Sequence, residues 1–235
     1  MKKLSLLLVF CLLLACSKNE VDQGQGANPK SSEEEVAHSE EEIKSEEEDQ
    51  IEKQVLPPMV QVDDHIYIDT GYVNSMVKCG TADGQITSTV STSESPSAND
   101  QGNFGLGYEY QFSDSGYISL KIDDRWIIFR DIAISYNGPP KMVANFTAKV
   151  IETEEDRLLV EVTSYPEEFF FMDQVGKPIS LEIENLAYSK DGRVTTEGLE
   201  GRSVKVFFDG DLINTDPLTS SPASLGQIYK IEVLD

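Results

Sequence analysis

The 235-residue chain is poor in the side chains that most enzyme chemistry draws on, with two histidines, three cysteines and one tryptophan. Positive charge is equally scarce: 19 Lys+Arg stand against 42 Asp+Glu, a formal net charge of −23. Such a surface repels nucleic acid and anionic lipid head groups, so neither is expected as a partner. Beyond residue 15 there is no long apolar run, which argues against a polytopic helical membrane protein. What remains, 39% hydrophobic and 9% aromatic residues, suffices for one or two small cores and excludes a chain disordered throughout.

The motifs that usually announce chemistry are missing too. There is no Cys-x-x-Cys, no His-Glu-x-x-His and no Gly-x-Ser-x-Gly elbow. A Ser-His-Asp triad is conceivable only through His65, since His38 sits among glutamates, and His65 beside Asp63-Asp64 reads as an exposed strand-end residue rather than a base. Paired carboxylates carry no signal where acids are this common. Asp191-Gly192-Arg193 lacks the alternating acids of a calcium loop. Gly102-Asn103-Phe104-Gly105-Leu106-Gly107 has no helix after it, so its glycines are expected in turns or bulges rather than around a dinucleotide. No catalytic residue, metal ligand or cofactor is therefore assigned.

The amino terminus is more informative. Lys2 and Lys3 precede an apolar run from Leu4 to Ala15 broken only by Ser5, the charged and apolar regions of an export signal. As a helix the run would span about 18 Å, short of the roughly 30 Å hydrocarbon core. It ends in Leu13-Leu14-Ala15-Cys16, which resembles the lipobox of bacterial lipoproteins. The resemblance implies diacylglycerol transfer to the Cys16 thiol, cleavage before it, and a lipid anchor on the outer side of the cell membrane. Two acyl chains provide the stable anchoring that one does not. Cys11 follows bulky Phe10 and would leave with residues 1–15. Cys79, between Lys78 and Gly80, would be the single thiol of the mature chain, without an internal disulfide partner, and is expected as a small buried hydrophobe.

Residues 16–57 read as a disordered acidic tether. Between Ser17 and Leu56 there are four lysines and 13 acids and no aromatic residue, so the segment cannot bury enough apolar surface to offset its ordering entropy. At a random-coil span of about 35 Å, more with self-repulsion, it would lift the folded part clear of the lipid head groups.

Pro57-Pro58 and Asn137-Gly138-Pro139-Pro140 then divide the remainder into 58–135 and 141–235, both all-β, with short alternating apolar runs and no convincing helical period. In the first, Val60–Val62 and Ile66–Ile68 flank Asp63-Asp64, and Leu120–Ile122 and Trp126–Phe129 flank Asp123-Asp124, two tight hairpins with acidic turns. A strand is expected at 107–112 and a polar surface loop from Thr87 to Gly105. This half, through Met59-Val60-Gln61-Val62 and Ile68-Asp69-Thr70-Gly71, resembles an uncharacterised domain of lipoproteins from Gram-positive bacteria.

The second half offers five strands, at 146–151, 158–163, 179–183, 203–208 and 228–233, with turn signals at Asp191-Gly192 and Asp209-Gly210. Their order, with Ala148-Lys149-Val150-Ile151-Glu152, Leu158-Leu159-Val160-Glu161, Gly201–Val206 and Ile228-Tyr229-Lys230-Ile231, resembles the OB-like five-stranded barrels that close small bacterial lipoproteins. An OB-like barrel invites a nucleic-acid ligand, but nine Lys+Arg against 18 acids in 141–235 provide no basic track.

The aromatic run Phe169-Phe170-Phe171 after Pro166-Glu167-Glu168 is the candidate contact for a protein or cell-wall partner, because strict alternation can bury only part of it in one core. These features point to a lipid-anchored binding or adaptor module of the cell envelope. The alternatives are an envelope hydrolase or other enzyme with its site at the junction of the two halves, and a structural subunit of an envelope complex.

Overall fold

A computed structural model describes residues 54–76, 80–186, 195–216, 218 and 220–234. Cys16, residues 17–53 of the tether, Cys79 and the Asp191-Gly192 turn lie outside the described residues. Residues 51–235 form one compact unit, all-β and built on two sheets.

The first sheet begins with the two acidic hairpins. β1 (Met59–Val62) turns into β2 (His65–Val73) with Val62 opposite His65. β7 (Tyr117–Ile122) turns into β8 (Arg125–Asp131) with Ile122 opposite Arg125. All four turn aspartates, Asp63, Asp64, Asp123 and Asp124, have positive φ. That is the two-residue type I′ geometry whose twist matches the flanking strands, and Asp tolerates it better than most non-glycine residues.

Four shorter strands complete this sheet: β3 (Gly84–Gln85), β4 (Ser88–Thr89), β5 (Gln101–Gly102) and β6 (Glu109–Phe112). The order is β3-β6-β7-β8-β2-β1-β5-β4. The two end strands belong to one continuous stretch, 84–89, so the sheet closes on itself around buried Ile86. Ile86 N–H donates to Tyr108 O (2.9 Å) on one side, and Thr87 N–H donates to Asp100 O (2.8 Å) on the other. The expected surface loop 87–105 is therefore corrected in part: β4, β5 and buried Asn103 form wall, not only loop. Its polar composition hides this, because the pairing uses backbone groups. Gly105 and Gly107 do take positive φ.

The second sheet contains β9 (Ala144–Thr153), β10 (Arg157–Ser164), β11 (Ile179–Glu182), β12 (Ser203–Phe208), β13 (Leu212–Ile213), β14 (Ala223–Leu225) and β15 (Ile228–Val233). Its principal strands run β11-β10-β9-β12-β15, the order of an OB-like five-stranded barrel. β14 and β15 are halves of one strand interrupted at Gly226-Gln227. β14 pairs in parallel with β11, β15 pairs antiparallel with β12, and a parallel bridge joins Leu186 to Ile231. A half-closed barrel results.

Between β10 and β11 lies a feature that alternation does not announce, a 3₁₀ helix at Glu167–Gln174, broken at Phe169 (φ −104°, ψ 47°). Its first turn carries Glu167 and Glu168, the charge sign favoured there.

Two apolar cores result, one around Val60, Tyr110, Leu120 and Phe129, the other around Phe146, Leu158, Phe169 and Phe208. A third cluster of Ile128, Met142, Val143 and Phe207 joins residues from both sides of Pro139-Pro140, packed by Tyr72, Tyr117 and Tyr229. Burying Met142 and Val143 immediately after the prolines is what makes one unit of two sheets.

Candidate functional site

The type I′ turn at Asp123-Asp124 places Arg125 at the first position of β8, facing the end of β12. Its guanidinium Nη2 lies 2.9 Å from Asp209 Oδ2 and 3.3 Å from Asp211 Oδ2. The Asp209 side chain is 4% exposed and that of Arg125 39%. A buried carboxylate requires compensation of this kind, and Asp211 N–H adds a hydrogen bond to Asp209 Oδ1 (3.1 Å). The hydrogen bond with Asp209 raises the guanidinium pKa above its ordinary value, so Arg125 stays charged.

Glycine makes the approach possible. Gly210 has φ +91°, and a Cβ there would lie 2.6 Å from Ser75 Oγ, whose hydroxyl donates to Asp209 O at 3.0 Å. Ser75 itself is delivered by a bulge in β2. The pairing with β8 shifts register between Asp69 and Val73, and Gly71 takes φ +72° with its N–H on Asp69 Oδ1 (2.7 Å). The bulge re-aims Tyr72 toward the other sheet. Its ring meets Tyr229 edge-on at 4.9 Å, and its hydroxyl pairs with Tyr136 at 2.8 Å. Tyr229 Oη accepts from Val73 N–H (3.1 Å). Burial pushes the hydroxyls of both Tyr72 and Tyr229 upward, so both remain neutral donors and acceptors at ordinary pH.

Beside this clasp lie two cavities, of about 280 and 480 Å³, that share Phe171, Gly210 and Asp211. Together they form one groove across the junction, walled by Trp126 on one side and by Leu212 and Ile213 on the other. Its charged lining is Arg125 against Asp124, Asp209 and Asp211.

The aromatic run splits three ways. Phe169 is fully buried, Phe170 is 57% exposed, and Phe171 is half-buried, edge-on to Phe208 (6.5 Å) and lining the groove. The turn of the 3₁₀ helix, rather than strand alternation, distributes the rings.

His65 is an exposed first residue of β2, with Nδ1 2.7 Å from Oδ2 of buried Asp131. Asp131 also accepts Ala133 N–H at 2.8 Å, so it caps the turn after β8. The other ring packed near His65 is that of Tyr67, with centroids 6.3 Å apart. This dyad and the Arg125–Asp209 pair went unread in the sequence. Partners 66 and 84 positions apart leave no local signal, and only the two turn motifs were visible.

A third cavity, about 370 Å³, opens where the strand halves β14 and β15 part from β11. Arg157, Ser180, Glu182, Glu184, Asn185 and Gln227 give it a polar lining. Asn185 Nδ2 donates to Ile228 O (2.7 Å) across the gap.

Among the described residues, no three His, Cys, Asp or Glu side chains gather as a metal site, and no helix is long and apolar enough to cross a membrane. No family model, curated protein or solved structure matches the chain.

Proposed function

We propose that this chain is a lipid-anchored protein of the bacterial cell envelope that acts by binding another envelope component, held off the membrane by its acidic tether. The carrying observation is the groove at the junction of the two sheets, where Phe171, Trp126, Leu212 and Ile213 present apolar surface in a chain otherwise dominated by acids. The export signal, the Leu-Leu-Ala-Cys16 sequence and residues 17–56 support the address and the spacing.

The competing reading, an enzyme with its site at the junction, has a weaker footing. The carboxylates gathered there hold one guanidinium in a clasp, and two acids bound to a permanent cation make poor general acid–base partners. A structural subunit of an envelope complex would share the anchor and differ in having a stoichiometric partner.

Metabolic labelling with a fatty acid checks the anchor: wild-type chain takes up label and Cys16→Ser does not. Equal labelling sinks the assignment. In-cell crosslinking checks the binding role, with a captured protein or glycan expected. Turnover of an envelope substrate by the purified chain, lost on substitution of a junction acid, would replace it with the enzymatic reading.

A further inference from the structure

We infer that the junction groove receives an extended polypeptide segment in which Lys or Arg alternates with apolar residues, docked along β13. The inference rests on the binding role proposed above and names its partner chemistry.

Three observations converge on that occupant. First, the walls are apolar, with Trp126 at one end and Leu212 and Ile213 at the other, and Ile213 is among the exposed large hydrophobic residues. Secondly, the groove carries one cation against three carboxylates. Asp209 is consumed by Arg125, which also reaches Asp211 at 3.3 Å, but one guanidinium cannot neutralise both, and the Asp211 side chain is largely exposed and that of Asp124 96% exposed. Lys121 reaches Asp124 only at 3.6 Å from the adjoining strand, an exposed pair of little energetic weight. The uncompensated charge is negative and lies in a chain of −23, so anionic ligands are repelled and cationic ones steered in.

Thirdly, β13 stands at the end of the sheet order, and among the described residues it pairs with β14 alone. An edge strand offers unpaired backbone groups to an added strand. An extended chain sends alternate side chains to opposite faces, so one set meets the apolar walls while the other meets Asp124 and Asp211. A small amine would use the charge but leave the edge and the length of the groove idle.

Trp126 is the chain's single tryptophan and lines the groove, so its emission reports occupancy without a label. The full chain in nonionic detergent is titrated with an alternating Lys-Val peptide and, separately, with its Glu-Val counterpart. A saturable emission shift with the first alone is expected, weakening as salt is raised. Asp124→Asn/Asp211→Asn should weaken binding about tenfold, as loss of rim charge does. The same charge change at Glu155 and Asp156, in the exposed turn between β9 and β10, should leave it unaltered. Ile213→Ser, an exposed position, should weaken it without loss of fold.

Silence toward the Lys-Val peptide, an equal response to the Glu-Val peptide, equal weakening by the two double variants, or a response to anionic vesicles in its place would each overturn the inference. The general binding role fails separately. In-cell crosslinks that map away from the groove overturn the docking site alone, whereas loss of all crosslinks overturns the role.

Discussion

The two sheets close by the same device and are stabilised differently. In each, one kinked stretch pairs with strands far apart in the order: 84–89 supplies both ends of the first sheet, and 223–233 pairs with β11 through its first half and with β12 through its second. Yet among the described residues the second gathers 19 buried apolar residues in its cluster where the first gathers eight. The first sheet compensates with polar joints. Tyr110 Oη donates to Asp100 Oδ1 (2.9 Å), Asn103 bridges Met59 N–H and Pro57 O, and Asn74 Nδ2 donates to Ser119 Oγ (2.9 Å). Such bonds contribute about 1 kcal/mol each, far less than a buried aromatic ring, but they specify one arrangement. A small core with many polar joints is the less self-sufficient half, and the third cluster and the Arg125 clasp tie it to the larger one.

Breaking the larger core should therefore have the greatest effect. Phe208 is fully buried and edge-on to Phe146 at 5.8 Å. Phe208→Ala is expected to cost about 3–5 kcal/mol in urea unfolding, with both halves lost in one transition. Two separated transitions would mean that the shared cluster does not couple them.

The clasp comes next. Arg125→Leu leaves Asp209 buried without its cation, and about 2–3 kcal/mol of lost stability is expected. That is less than for a fully buried pair, because Arg125 is over a third exposed. A change below about 0.5 kcal/mol would show that Ser75 and the tyrosines hold the junction alone.

The smallest effect sharpens the polar side of the comparison. Burial, and then the hydrogen bond to Asp100, push the Tyr110 hydroxyl up to about 12. The folded form thus holds this proton more tightly than the unfolded form, whose phenol titrates near 10. The stabilisation is fully present below about pH 10 and is lost as pH rises through 12. Tyr110→Phe should cost about 1 kcal/mol at neutral pH and flatten the decline of stability between pH 10 and 12. An unaltered alkaline profile would show that Tyr110 is not the group responsible.

Much of the architecture was legible because it rests on local rules. Both Asp-Asp hairpins, the five longer strands of the second sheet and the Asp209-Gly210 turn follow from alternation and turn chemistry, whereas the short β13 and β14 do not. Closure of the first sheet was not legible, since 87–105 pairs through backbone atoms and its side chains read as loop. Nor was the 3₁₀ helix, because eight residues without a clear apolar stripe carry too little periodic signal. Of the candidate site, Phe171 was visible as part of an aromatic run, while Trp126, Leu212 and Ile213 read only as strand or loop residues.

Composition and order alone determined the acidic character, the all-β class, the punctuation at Pro57-Pro58 and Pro139-Pro140, and the expected address at Cys16. These depend on neighbours along the chain. Only the tertiary structure decided that Met142 and Val143 fuse the two sheets, that Arg125 finds Asp209, and that Phe169, Phe170 and Phe171 part into core, solvent and groove. Those outcomes depend on which distant side chain packs or pairs within a few ångströms, and sequence spacing does not encode that.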